Sequence, residues 1–260
     1  MSRKLLIGWC LMPLFTFSSL FIQAQIVPVS VSDYYFSYNR EQNFSVVPWL
    51  TFSNLSLSFQ NQFLLKELCT ISVTGNYNTK GNAVLLSISH FGYSKYGVFT
   101  FSSGYARTFA KRVSFGLQTH YLLHHVTEYP KKHSFTFDLS LYGKISAKVG
   151  VGVSAYNAAK LKYGMRGKEP IPMKYILMLD FVLSEKLVVA VTASKQLPGF
   201  FNIAGTLYFK DKFYGFLIDA SAKKVNTQFS FWLKKVQFDV GGSFDYKLGY
   251  SPFVKIGYCF

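Results

Sequence analysis

Residues Val113-Ser114-Phe115-Gly116-Leu117-Gln118-Thr119-His120-Tyr121 and Ser134-Phe135-Thr136-Phe137-Asp138-Leu139-Ser140-Leu141 decide the fold class. In both stretches large apolar residues alternate with small or polar ones. Period two puts the two sets on opposite faces of a β-strand. The same alternation runs through Leu55, Leu57 and Phe59 against Ser56, Ser58 and Gln60. It returns in Val149, Val151 and Val153 against Gly150, Gly152 and Ser154, and in Phe238, Val240 and Phe244 against Asp239, Gly241, Ser243 and Asp245. A soluble sandwich turns its large face inward and covers the other with Lys, Glu and Thr. Here the second face is mostly Ser, Gly, Thr and Gln, and the charges gather at turns. A transmembrane barrel produces this pattern, apolar toward lipid and small or polar toward the lumen.

Working outward, similar segments fall near 54–63, 68–77, 82–91, 97–107, 112–124, 133–143, 146–156, 173–183, 186–195, 200–209, 213–221, 225–233, 236–246 and 251–260. They predict an all-β, antiparallel transmembrane β-barrel of about fourteen strands, with twelve or sixteen also allowed, since a tilted membrane strand needs about 9–11 residues. Every second connection is short. The others include 125–132 and 158–172, the longest stretches, which matches short periplasmic turns and longer outer loops. The final strand ends on Tyr258-Cys259-Phe260, and a terminal aromatic strand of this kind resembles a barrel-insertion signal.

Composition supports a membrane setting. Of 260 residues 50% are hydrophobic and only 15% charged, with 27 Phe and 18 Tyr. That is more aromatic surface than a soluble core of this size hides, and it excludes a disordered chain. The formal charge is +16, from 28 basic and 12 acidic residues. Such an excess suits nucleic acid or an anionic membrane surface. Residues 1–24 decide between them. Met1-Ser2-Arg3-Lys4, the apolar run from Leu5 to Phe21, and Ala24 before Gln25 form the layout of a secretory signal peptide. The reading is a chain exported to the bacterial outer membrane, with lipids and glycolipid as neighbours, no nucleic acid, and a barrel that is monomeric. Cys69 and Cys259 lie too far apart in sequence to read as a disulfide framework. The barrel then occupies 51–260, and 25–50 form either a lumen plug or an extra strand.

Candidate functional residues fall into two groups. Asp138, Asp180, Asp239 and Asp245, with Gln118 and His120, sit at the polar parity and are expected to line the lumen. Lys160, Lys162, Arg166, Lys168 and Lys174 crowd the longest outer loop as a candidate site for anions or a protein partner. His120, His124, His125 and His133 are close in sequence. On one strand His120 and His124 lie about 13 Å apart, too far for one ion whose nitrogen ligands sit at about 2 Å. No metal and no cofactor is expected. His120 with a lumen serine and Asp138 on the next strand is the one triad the sequence can assemble. Small lumen residues explain the same three, so catalysis is not expected.

Three phrases carry a resemblance: Gly104-Tyr105-Ala106-Arg107-Thr108-Phe109-Ala110-Lys111-Arg112, Val149-Gly150-Val151-Gly152-Val153-Ser154-Ala155-Tyr156-Asn157, and Leu248-Gly249-Tyr250-Ser251-Pro252. Over roughly residues 80–260 the chain resembles the PorV/PorQ-type branch of the FadL-like outer-membrane barrels. The resemblance implies fourteen strands and an accessory or scaffold role in protein export of the type IX secretion kind, with secretion proteins or exported cargo as partners. The alternative it implies is passage or uptake of small apolar molecules. No clear Asn-Pro-Ala phrase stands near the mature N-terminus, and the chain is short for the family, so the resemblance implies that any hatch or long binding loop is reduced or absent. A transporter should show an apolar lumen pocket or a break in the wall, for instance at Pro198-Gly199. A scaffold should be plugged.

Overall fold

The structure is a computed structural model and describes residues 38–40, 42–162 and 171–260. The signal-peptide reading of 1–24, residues 25–37, and Arg166 and Lys168 lie outside the described residues. Fourteen strands follow one another: β1 Asn54–Asn61, β2 Cys69–Thr79, β3 Asn82–Tyr93, β4 Tyr96–Phe109, β5 Val113–Val126, β6 Lys132–Lys144, β7 Val149–Tyr156, β8 Met173–Ser184, β9 Leu187–Leu197, β10 Phe201–Lys210, β11 Tyr214–Ser221, β12 Lys224–Leu233, β13 Val236–Asp245 and β14 Gly249–Cys259. Each pairs antiparallel with its sequence neighbours, and β1 pairs with β14, so the barrel closes. Closure leaves no sheet edge in lipid, where an unpaired backbone group has no water to turn to. Among the described residues no helix is long and apolar enough to cross a membrane; the strands do so.

The alternating residues take the two faces. Leu55, Leu57, Ile71, Val73, Phe115, Phe135, Val153, Ile203 and Val240 are exposed on the outer wall, while Ser56, Thr74, Ser102, Ser114, Ser140, Ser154 and Ser230 are buried inside. Two sequence-based boundaries move for local reasons. The first strand stops at Asn61 because Phe63 and Leu64 adopt left-handed φ values of 55° and 58°. The seventh begins only at Val149, because the Ser146 hydroxyl accepts from the Lys148 and Val149 amides at 3.2 and 3.1 Å and holds a turn there.

Connections at the end that carries both β1's start and β14's finish are tight, as at Lys80-Gly81, Ala110-Lys111 and Lys234-Lys235. The longest connections, 62–68 and the one between Tyr156 and Met173, lie at the opposite end. The tight end is therefore read as periplasmic and the other as outer. Backbone bonds between Ser53 and Phe260, 2.9 Å in both directions, extend the closing seam by one pair. The described part of 25–50 adds no strand to the wall. Residues 38–40 and 42–52 pack inside the barrel, with a 3-10 helix Phe44–Trp49 whose Asn43 caps the Ser45 amide at 3.1 Å. A short lumen segment is therefore present among the described residues.

Candidate functional site: a stoppered lumen

The apolar core of this molecule is the seat of that segment. Phe44, Val46, Val47, Leu50 and Phe52 bury themselves against Ala83, Leu85, Ala106, Met178, Val188, Ala190 and Leu217 on the inner wall. Burial of each large side chain stabilises by about 1.5–3 kcal/mol. Glycines on the inner face make the room. A Cβ on Gly104 would stand 2.8 Å from the Phe44 ring, and one on Gly152 would stand 2.5 Å from the Asn43 amide.

Polar bonds fix the segment between opposite sides of the wall. Arg40 gives one nitrogen to Asn54 and Asn76 at 3.0 and 2.9 Å, and the other to Ser56 at 2.9 Å. Asn39 donates to the Tyr208 hydroxyl at 2.6 Å on β10. The Ser45 amide donates to Ser140 at 3.0 Å and the Trp49 indole to Ser114 at 2.8 Å, on β6 and β5. Asn78 on β2 donates to the carbonyls of Val47 and Phe52, both at 3.0 Å. The Lys144 ammonium lies 4.3 Å from the centre of the Trp49 ring. The stopper therefore fills the periplasmic half of the lumen.

Above it the lumen opens into a polar vestibule. One cavity of about 330 Å³ is lined by Ser58, Gln60, Asn226, Gln228, Ser243 and Lys255, with Tyr38 and Phe253. A second, of about 310 Å³, is lined by Arg40, Ser72, Ser87, Ser102, Gln118, His120 and Asp138. Cross-strand hydroxyl pairs tie this wall, Ser58 to Ser72 at 2.6 Å and Thr74 to Ser87 at 2.9 Å.

The sequence-predicted residues divide as follows. His120 bridges two strands, its Nδ1 2.8 Å from Ser102 Oγ and its Nε2 2.8 Å from Asp138 Oδ2. The other Asp138 oxygen accepts from the Asn157 amide at 2.9 Å and pins the start of the long outer loop. Gln118 faces the same cavity, opposite Asp138 in register. Asp180 is buried deep beside the stopper, with the Tyr142 hydroxyl at 3.1 Å. Asp239 is fully buried, accepting from Gln237 at 2.8 Å with Lys255 at 3.8 Å. Asp245 stands at the outer rim, where it accepts from the Lys247 and Leu248 amides at 2.8 and 3.0 Å. Lys174 leaves the loop group to which the sequence assigns it. It is the second residue of β8 and faces the vestibule with Thr192, Asn202, Asp219 and Lys224. The cause is parity: Tyr175 and Leu177 must face lipid, so Lys174 and Ile176 face inward. Lys160 and Lys162 remain in the loop, outside the strands.

His120 and His124 share the inner face of β5, whereas His125 faces outward, so the four histidines do not converge. Among the described residues no group of three His, Cys, Asp or Glu could hold a metal ion. Cys69 and Cys259 are both free thiols. Pro198-Gly199 lies in the β9–β10 outer hairpin, not in the wall. Sequence reasoning missed Asn39, Arg40, Asn43 and Tyr208. The signal available for the first three was a polar cluster directly before the apolar run Phe44–Leu50, in a stretch without alternation.

No protein-family model matches the chain, and no curated protein matches it. Solved structures do. The CymD monoaromatic hydrocarbon channel superposes with a TM-score of 0.59 at 10% identity, over 90% of this chain and 97% of its own. The Ralstonia pickettii toluene transporter TbuX gives 0.57 at 8% identity, over 85% and 92%. A TodX deletion mutant, also a monoaromatic hydrocarbon channel, gives 0.55 at 8% over 85% and 92%. Identities this low carry the fold and no more, and they single out no PorV/PorQ-type branch. The chain is a closed fourteen-stranded transmembrane barrel with the fold of these hydrocarbon channels.

Proposed function

We propose that this protein is a gated channel of the outer membrane, of the FadL-like kind, which admits small molecules past a movable N-terminal stopper. One observation carries the reading. The lumen runs through a complete wall, and what blocks it is a segment outside the strand order. A soluble core cannot shed such a segment and stay folded; here the wall stands on its own backbone ladder. The inner surface that the stopper covers is apolar, formed by Ala83, Leu85, Ala106, Met178, Val188 and Leu217. A small apolar solute arriving from the vestibule could replace Phe44 and Val47 against those side chains, which makes uptake of apolar molecules the favoured cargo class. The hydrocarbon channels of like fold support the same choice.

The test locks the stopper. The Ser45 amide lies 3.0 Å from the Ser140 hydroxyl, so Ser45→Cys with Ser140→Cys brings two thiols near enough for an oxidative lock, whose formation is read first as loss of free thiol. Intact cells producing the oxidised variant should take up labelled toluene several-fold more slowly than cells producing the reduced variant or the wild type. Equal uptake in all three, at the level of cells lacking the protein, would overturn channel function.

A scaffold accessory to protein export is the second reading, favoured by the unbroken wall and stopped lumen. It requires a large secretion protein or cargo to be recovered stoichiometrically from native membranes in mild detergent, with uptake indifferent to the lock.

A further inference from the structure

A second site lies on the outside of the barrel, near the outer rim of β3, β4 and β5. The register there sets His90 opposite Phe99 and Phe99 opposite Leu123, with Gly92 opposite Gly97 and Gly97 opposite His125 one row above. The four non-glycine side chains at these outward positions stand around two that have none. The result is a notch of about 480 Å³ in the lipid-facing wall, lined by His90, Tyr93, Gly97, Phe99, Leu123, His125 and Lys131. Side chains cannot simply grow into it. Gly92 has a φ of 107°, and a Cβ on Gly97 would meet His90 Nε2 at 3.1 Å.

Its chemistry is graded along the membrane normal. Phe99 and Leu123 form an apolar floor on the side of the hydrocarbon. His125, one row above, and Lys131 in the outer loop stand on the headgroup side, with His90 level with Phe99 at the flank. His125 Nδ1 is shut off from solvent and has no hydrogen-bond partner in the protein. A buried polar atom without a partner is rare. The Tyr121 hydroxyl and His133 Nδ1, 2.6 Å apart, continue the polar rim along β5 and β6.

We propose that this notch binds a phosphate-bearing lipid of the outer leaflet. One acyl chain lies on Phe99 and Leu123, and the phosphate takes hydrogen bonds from His125 and Lys131, with His90 flanking. Three features favour that occupant over a protein or a zwitterionic lipid. The notch opens sideways into the bilayer. Its floor continues the lipid-facing belt. Its rim offers donors with no carboxylate among them, which complements a phosphate monoester. The site is separate from the lumen and does not rest on the channel reading.

Purified barrel in phosphatidylcholine nanodiscs, doped with bis-phosphorylated lipid A or with the same lipid dephosphorylated, supplies the test by native mass spectrometry. The wild type should retain the phosphorylated form in preference by about tenfold, the change that goes with one charge-assisted hydrogen bond. Lys131→Gln, at an exposed loop position where folding is not at stake, should erase most of that preference. Gly97→Leu should abolish retention of both forms, with heat-dependent electrophoretic mobility confirming a folded barrel. Equal retention of both lipids by the wild type would overturn the proposal. So would a preference that Lys131→Gln and His125→Gln leave intact, since the phosphate would then sit on other basic loops.

Discussion

Arg40 is 2% exposed and hands its guanidinium to Asn54, Asn76 and Ser56, all neutral oxygens on the first two strands. A fork of fixed donors suits three acceptors held apart in this way, and a lysine would not reach them all. Replacing it strands buried amide oxygens as well as removing a charge. Arg40→Met should therefore destabilise the stoppered barrel by about 2–4 kcal/mol, read as a lower urea midpoint in micelles, and Arg40→Lys should recover only part of that. An unchanged midpoint would show that the guanidinium does not anchor the segment. Gly104 offers a cleaner perturbation. Its missing side chain is the space that Phe44 occupies, so Gly104→Val should evict the ring without adding charge. Planar bilayers should then show ion conductance where the wild type is closed. None of this was legible residue by residue. Serine and glycine at the inner parity announce a roomy lumen, yet nothing local says which of them touches a segment far earlier in the chain. His120 and Asp138 are the exception, because neighbouring strands at matched register put them within reach.

At the scale of elements, period two was sufficient. All the sequence-assigned strands exist, with ends displaced by a few residues wherever a turn is set by a side chain, as at Ser146, or by left-handed backbone, as at Phe63. The stretch before β1 escaped because a segment packed inside a barrel obeys no single period. It has wall on every side. The strand faces support a direct test. Val240 faces lipid on β13, and Val240→Arg should lower stability by up to about 2–4 kcal/mol, depending on its depth. Mutating Ser243, on the inner face of the same strand, should cost far less. Turns contribute differently. Lys186 and Asp211, 2.6 Å apart, join the periplasmic turns after β8 and β10. The ammonium holds the Asp211 carboxyl below its ordinary range, and the carboxylate raises Lys186. A lowered carboxyl stabilises above its unfolded pKa and loses that contribution as pH falls through the folded value. A raised ammonium keeps its contribution until pH rises through the folded value. Because the pair is solvent-exposed, the effect is small and screened by salt. The difference in melting temperature between wild type and Asp211→Asn should be largest near neutral pH, and should vanish in strong acid or high salt.

For the whole molecule, the physics is that of an inverted protein. Its large side chains face outward, its hydroxyls face inward, and its packed core is a visitor to the lumen. Deleting residues 42–50 should leave a folded barrel, since the wall's ladder does not pass through them, and should convert a closed lumen into a conducting one. If the truncated chain fails to fold, the stopper is part of the scaffold and not a gate. The seam sharpens the point. Ser53 pairs with Phe260 at the closure of β1 on β14, and the stopper ends only a few residues before it. A ligand tied to its own binding site on so short a leash competes at an effective concentration on the order of millimolar. On the channel reading proposed above, a solute would have to outbid that standing competitor to hold the passage open, and the stopper would return when the solute leaves. Flow through such a barrel would half-saturate at an outside concentration raised in proportion to that of the tethered stopper. The barrier would reset after each molecule without any signal from the cell.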